Sequence, residues 1–486
     1  MTAAQPTGPG GPKVLKDDLC VIGGGSAGLS AGSTAAQLGM RVVLIERGEM
    51  GGECLNTGCG PSKALLAAAR TAHAMRSAGG FGIEAVEPCV DFAAVHAHVH
   101  QVIAAIAPHD SVERFEGLGA QVIRAEARFV APRVLMAGGQ RIEARRVIIA
   151  TGSAPVAPKI DGLDAVPYFT NESIFDNRTL PAHLLIIGAG PIGLEMAQAH
   201  RRLGSQVTML ERSKVMPHDD AGHVAELLKI LAAEGVTIRQ QVEVASARQD
   251  EPGITLGVVE GGQRGEIRGS HLLVATGRRP RLEALDLDKA GVKTDAGGIV
   301  VDAKLRTSAR GVYAIGDVVA KSPQFTHVAG YHAGIAVQNA LLVPYAKTDY
   351  ASLPWVTYCD PELAHVGMVE DEARKQHRGD VRMLEVELSG NDRARTERAA
   401  RGSIRLVAHR NGRVLGVSIL AAHAGELAHA WVLAIGAGLK LKDVARMIAP
   451  YPTLGEVNKA VAGEFYKPKL FGALSRRVVA LFSHLP

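Results

Sequence analysis

Cysteine is scarce in this chain: five occur in 486 residues, and only Cys54 and Cys59 lie close together. So few, with no second C-x-x-C and no His or Cys partner nearby, exclude a disulfide-stapled scaffold and argue against a zinc site. Aromatic residues are also sparse, at 4%, whereas glycine is plentiful, with 55. That balance fits an α/β protein with many tight turns. No apolar run reaches the ~18 residues that a membrane-crossing helix needs, so no transmembrane segment is expected. Net charge is small, +5 at pH 7, and dispersed along the chain. This excludes a dedicated nucleic-acid surface, while the slight positive bias suits anionic cofactors. Residues 1–16 are rich in Pro, Gly and Ala and lack the apolar core of an export signal. They read as a disordered tail, and the missing signal with few cysteines places the protein in a reducing cytoplasm.

What the chain does have is length and repetition. It is long enough for three domains, and 47% hydrophobic with 21% charged residues is a globular composition. From Leu19 an apolar strand runs into Gly23-x-Gly25-x-x-Gly28, an Ala-rich helix to Leu38, and a second strand ending in Glu46. This layout puts a pyrophosphate on a helix N-terminus and a carboxylate on a ribose diol. A twin begins at Leu184 with Gly188-x-Gly190-x-x-Gly193, a helix to Leu203 and a strand ending in Glu211. In both copies the acid follows the first glycine by 23 positions. One G-x-G-x-x-G is weak evidence; two with full context imply two dinucleotides, most economically FAD and a nicotinamide cofactor. A carboxylate at Glu211 accepts from a free 2′-hydroxyl and repels a 2′-phosphate, which favours NADH, although Arg212 and Lys214 follow directly and keep NADPH open.

Between the copies lies Gly51-Gly52-Glu53-Cys54-Leu55-Asn56-Thr57-Gly58-Cys59-Gly60-Pro61-Ser62-Lys63. Two cysteines five apart on a regular helix are separated by an axial rise of ~7.5 Å and a large angular offset, too far for a disulfide. The backbone between them is therefore expected to be irregular, which Asn56, Gly58 and Gly60 permit. A bridge closing so short a ring would be strained and easily reduced, which suits a catalyst better than a staple. Two unconnected thiols or a metal pair are the alternatives.

Together with Val147-Ile-Ile-Ala-Thr151-Gly152, its echo Leu272-Leu-Val-Ala-Thr-Gly277, and Gly311-Val-Tyr-Ala-Ile-Gly-Asp317, these segments resemble the FAD-dependent pyridine nucleotide-disulfide oxidoreductases from about Asp18 to Pro468. The resemblance implies two Rossmann-like dinucleotide-binding domains and a C-terminal α+β dimerisation domain that makes a homodimer. It implies an FAD domain over 17–153 and 278–346, an NAD(P)H domain over 154–277, an interface domain over 347–468 and an amphipathic tail over 469–486. It further implies that Gly23, Gly25, Gly28, Glu46, Lys63, Ala127, Thr151, Gly152 and Asp317 bind FAD, and that Gly188, Gly190, Gly193, Glu211 and Gly277 bind the nicotinamide cofactor. Lys63 is expected to pair with Glu195 beside the flavin N5, where a cation stabilises the reduced ring. A helix over Val328–Leu342 is expected to aim its N-terminus at the flavin, with His327 contributing backbone only. The implied relay runs from NADH to flavin to a Cys54–Cys59 bridge, with Cys59 nearer the flavin and Cys54 exchanging with substrate. Only the thiolate attacks, so a lowered pKa is expected to matter at Cys54.

One segment departs from the thiol-handling members of that family, which carry a His-Pro-Thr motif whose histidine is oriented by a glutamate. Here Ala449-Pro-Tyr451-Pro-Thr-Leu-Gly-Glu456 puts a tyrosine in its place. With a pKa near 10, tyrosine is deprotonated about one part in a thousand at pH 7, so dithiol oxidation loses its base. Tyr451 and Glu456 thus look like the mercuric reductase branch, where a tyrosine helps hold a soft metal ion at the thiols. That branch also has a C-terminal cysteine pair, and this chain has no cysteine after Cys359. Substrates in view are a small molecule, a metal ion or a protein disulfide; the alternatives are a dihydrolipoamide dehydrogenase-like enzyme or a flavoprotein serving a lipoyl-bearing partner.

Other features receive plainer readings. His96, His98 and His100 lie on an expected helix whose face is read as solvated, with no resident metal. Cys20, Cys89 and Cys359 are read as structural. The segment from Lys467 has Leu470, Phe471, Leu474, Val478, Leu481 and Phe482 at helical spacing, and is expected to pack on the body or the dimer in preference to a membrane.

Overall fold

The computed structural model describes residues 14–483. Strand β1 (Val14–Ile22) runs parallel to β2 (Val42–Glu46) on one side and to the strand Gln140–Ile149 on the other. The strands Ala120–Arg124 and Val312–Ala314 extend this parallel core, and an antiparallel pair, Ala127–Ala131 and Val134–Ala137, completes seven strands. Alternate residues enter opposite cores, as the pleat requires. Leu19, Val21, Leu44 and Ile148 meet the helices α1 (Ser26–Gln37) and Thr326–Leu341, while Cys20, Ile22, Val43 and Ile149 meet Phe129, Leu135 and Leu285.

The boundary of the first strand corrects the expected tail. Residues 1–13 lie outside the described residues, but Val14–Asp17 are paired in register with Arg141–Ala144. Composition reads this stretch as tail; the neighbouring strand supplies backbone partners that composition cannot show.

A second parallel sheet carries the repeat, in the order Val236–Gln240, Gln206–Glu211, His183–Ile187, His271–Val274. The helix Pro191–Leu203 crosses from its first strand, and a three-stranded antiparallel meander over residues 242–269 adjoins it. A short antiparallel pair, Ser153–Pro155 with Arg278–Pro280, joins the two nucleotide-type units. Beyond residue 350 the chain forms a five-stranded antiparallel sheet, packed by Ala424–Gly436 and Glu456–Glu464 around a fully buried Trp431.

Arg202 ties the second nucleotide-type unit to the C-terminal one. Its guanidinium is 5% exposed and donates to Glu234 at 2.7 and 2.8 Å and to the Asp360 carboxylate at 2.8 Å. Removing the cation strands the Glu234 carboxylate, 14% exposed, and takes a partner from Asp360, 34% exposed. Arg202→Ala is therefore expected to destabilise the fold by about 3 kcal/mol or more, with Arg202→Lys restoring only part because the forked geometry is lost. Urea-denaturation midpoints test this; a loss below about 1 kcal/mol, the range of a surface pair, would contradict it.

Candidate active site

The nucleotide turn and the cysteine loop are built against each other. Gly51 bridges to Gly25, and a Cβ on Gly52 would lie 2.6 Å from the Gly25 Cα at a φ of +57°. Only glycine permits that approach in that conformation. Helix α2 (Gly52–Asn56) then carries Cys54, the chain breaks at Thr57-Gly58, and α3 (Cys59–Ser77) starts on Cys59. The irregularity required by the spacing thus falls on these two residues; Gly60 is already helical.

Both cysteines are thiols here, and they are unequal. The Cys59 thiol is lowered to about 6, first by its hydrogen bond with Cys54, then by Thr326 and the Lys63 charge, against burial and Glu195. Cys54 is raised, first by the same hydrogen bond and then by burial. The expectation of a lowered Cys54 is therefore corrected: with two thiols in contact only one can ionise readily, and the cation and Thr326 favour Cys59. Thr326 Oγ1 lies 3.3 Å from the Cys59 Sγ at the start of Thr326–Leu341, two residues earlier than expected for this helix. The positive end of that helix favours an anionic sulfur. Thr326 had no motif in the sequence; only its distance from Cys59 reveals it.

Lys63 projects from α3 onto Glu195 of the helix Pro191–Leu203, 2.9 Å away. Glu195 is 6% exposed, and its other oxygen accepts from the Tyr358 N–H at 3.0 Å. The Tyr358 ring sits under the Lys63 ammonium, 4.2 Å from centroid to Nζ, a cation–π contact that the sequence did not signal. Glu53, next to Cys54, is raised to about 7 by burial against the opposing Arg278; it also accepts from Asn171 at 2.8 Å.

These groups line one cleft of about 2060 Å³, larger than the ~300–1,000 Å³ of a single small-ligand pocket. Gly23, Gly25, Glu46, Ala127, Thr151, Gly152, Asp317, Cys54, Cys59 and Lys63 face it, and so do Glu195, Gly190 and Glu211. The N-termini of α1, Pro191–Leu203 and Thr326–Leu341 lack a side-chain cap, leaving backbone N–H groups for an anionic ligand. Gly28 and Gly193 do not line the cleft: a Cβ on either would strike the carbonyl of Gly23 or Gly188, so they set helix-to-strand packing. Gly277 also lies off it, its carbonyl accepting from Val156 N–H at 3.0 Å. Glu46 accepts from the N–H groups of Gly24 and Gly48. Asp317 accepts from Ser153 at 2.8 Å and is raised by burial. The His327 side chain bonds the Pro354 carbonyl at 2.8 Å.

Tyr451 and Glu456 are not brought to the cleft within one chain. Tyr451 is 72% exposed and its hydroxyl donates to Asp392 at 3.2 Å, while Glu456 accepts from the Thr453 N–H. Two plainer readings are also corrected. His98 is exposed, but His96 and His100 are half-buried, their rings tilted with centroids 4.1 Å apart, and His100 is held by the Phe175 carbonyl. Among the described residues no group of three His, Cys, Asp or Glu could hold a metal ion. Cys20 and Cys359 are buried, but Cys89 is exposed.

Two dinucleotide-type turns opening on one cleft beside a thiol pair define a flavin- and nicotinamide-dependent redox enzyme. The chain belongs to the pyridine nucleotide-disulphide oxidoreductase family, whose main domain matches residues 17–333 and whose dimerisation domain matches 353–462. It is 39% identical over 461 residues to a mercuric reductase of Streptomyces lividans, covering 92% of this chain and 96% of the relative. It is 38% identical over 444 residues to a dihydrolipoyl dehydrogenase of Thermus scotoductus, covering 90% and 95%. Among solved structures it resembles the HOCl-induced flavoprotein disulfide reductase RclA of Escherichia coli, with a TM-score of 0.82, 27% identity and 92% and 99% coverage. It also resembles LpdA of Mycobacterium tuberculosis, with a TM-score of 0.84, 26% identity and the same coverage. The family implies FAD and a pyridine nucleotide, and its dimerisation domain implies a homodimer. The uncapped helix ends and the size of the cleft fit both cofactors.

The asymmetry of the thiols is testable without a substrate. In the dithiol-reduced enzyme, thiolate absorbance should rise with a midpoint near pH 6, disappear in Cys59→Ser and move upward in Lys63→Met. A midpoint near the unperturbed ~8.5 would show that neither Cys54 nor Lys63 polarises Cys59.

Proposed function

We propose that the enzyme passes electrons from NADH, through FAD, to the Cys54–Cys59 pair and on to a disulfide or soft-metal substrate, in the manner of mercuric reductases. FAD, when bound, supplies the two-electron junction between nicotinamide and thiols. The observation that carries the proposal is that Cys54 and Cys59 line the same cleft as both nucleotide turns, with Thr326 on Cys59 and the Lys63–Glu195 pair beside them. Oxidation of the pair joins the two sulfurs and releases two electrons and the Cys54 proton, and the reverse reduction takes up two electrons and one proton, leaving Cys59 ionised and Cys54 protonated. Lys63 balances the negative charge, and Glu195 orients Lys63. Cys54, the protonated partner, is the sulfur that meets substrate, giving up its proton to solvent as its bond to the substrate sulfur or metal forms. Glu46 and Asp317 hold the FAD ribose and ribitol, and Ala127, Thr151 and Gly152 wall its site. The domain limits expected from the sequence belong to this reading, as do a homodimer and a cytoplasmic setting.

Tyr451 decides between the relatives. Its pKa is raised by the hydrogen bond and charge of Asp392, so even less of it is deprotonated at neutral pH than of free tyrosine. The reading in which Tyr451 and Glu456 reach across to the partner's cleft as ligand and orienting group is therefore favoured over dithiol oxidation with a base. The dihydrolipoyl dehydrogenase relative supports a second reading, lipoamide turnover. Restoring histidine separates the two: Tyr451→His should raise NAD⁺-linked dihydrolipoamide oxidation by about 100-fold, the lower range for general-base catalysis, and Tyr451→Phe should lower Hg²⁺-dependent NADH oxidation. Robust lipoamide turnover in the parent, untouched by Tyr451→Phe, would sink the proposal.

The cofactor choice rests on Glu211. Burial raises its pKa, but the N–H of Ala189 and the N–H and hydroxyl of Ser213, at 2.8–2.9 Å, outweigh burial and hold it below the usual carboxylate range. An anion is thus fixed where a 2′-phosphate would sit, although Lys214 also lines the cleft. NADH should be preferred over NADPH in kcat/KM, and Glu211→Ala should narrow the preference about tenfold or more. A parent enzyme that favours NADPH would refute this assignment.

A further inference from the structure

The segment after the dimerisation-domain match, which ends at residue 462, carries a feature that the redox chemistry does not use. The ten-residue helix Ala473–Phe482 has no buried residue. Leu474, Val478, Leu481 and Phe482 recur at i, i+4, i+7 and i+8 and form one apolar face. Leu474 is 77% exposed and Phe482 62%, and Leu470 and Phe471 just before the helix are 62% and 60% exposed. The expected packing on the body is therefore absent for this helix.

Charge identifies what the face fits. From Lys467 to Phe482 the chain has Lys467, Lys469, Arg476 and Arg477 and no acidic residue. Lys467 is engaged with Glu464; Lys469, Arg476 and Arg477 form no ion pair among the described residues. A short helix with an aliphatic and aromatic face, flanked only by cations, is the pattern of a segment lying in a membrane interface. An anionic lipid surface satisfies both halves, since acyl chains accept Leu474, Leu481 and Phe482 while headgroups neutralise the arginines. We infer, against the expectation from sequence, that residues 467–482 dock the enzyme peripherally on an anionic membrane surface. No helix among the described residues is long and apolar enough to cross a membrane, so the attachment is interfacial. A homodimer presents two such segments, and binding through both strengthens a weak single contact.

The test is flotation of the full-length holoenzyme with vesicles of phosphatidylglycerol and phosphatidylcholine, against phosphatidylcholine alone. The enzyme should float with the anionic vesicles, stay behind with the neutral ones and be released by high salt. Arg476→Gln with Arg477→Gln should lower the partition coefficient about 30-fold, from ~1 kcal/mol per cation. Leu481→Glu with Phe482→Glu should abolish flotation while NADH-driven ferricyanide reduction and the dimer mass are unchanged. Absence of flotation with anionic vesicles, or undiminished flotation of the Glu variant, overturns the inference. Dissociation of that variant into monomers overturns it too, by assigning the face to the second subunit.

Discussion

The Glu195 carboxylate is the point at which the three parts of the molecule meet. It stands on the crossover helix of the second nucleotide-type unit, receives Lys63 from the first and the Tyr358 backbone N–H from the C-terminal part. Glu195 is almost fully buried, so its charge relies on Lys63 and the Tyr358 N–H. Breaking one half leaves an uncompensated charge at the cleft wall. The packing of α3 on Pro191–Leu203 through small and aliphatic side chains brings Lys63 within reach.

The ordering of the two thiols follows from it. Five residues of spacing, interrupted at Thr57-Gly58, put both sulfurs in contact but give them different surroundings. Cys59 faces Thr326 and, through α3, the Lys63 charge; Cys54 is half-buried and hydrogen-bonds Cys59. Their mutual hydrogen bond, with Thr326 and one cation, thus separates two chemically identical groups, lowering the pKa of Cys59 and raising that of Cys54.

Much of this was legible in the chain. The two Gly-x-Gly-x-x-Gly turns with their acids are local patterns, because a pyrophosphate site needs a glycine turn between a strand and a helix that are contiguous in sequence. The cysteine spacing required a broken helix, and the break is there. Thr326, Tyr358 and Asp392 were not legible, because their roles depend on distances between segments hundreds or tens of residues apart. The first strand was misjudged for the same reason: Val14–Asp17 are strand only because Arg141–Ala144 lie beside them.

By itself, then, the amino-acid sequence determined the fold class, the two dinucleotide-type turns and the reactive pair, since each depends on residues near one another along the chain. Only the tertiary structure decided which thiol ionises, which partner holds Tyr451, that Gly28 and Gly193 serve packing, and that the helix after residue 472 stands clear of the body. Those outcomes are set by burial, dipoles and charges that converge from distant segments, and electrostatic energies depend on distance in space.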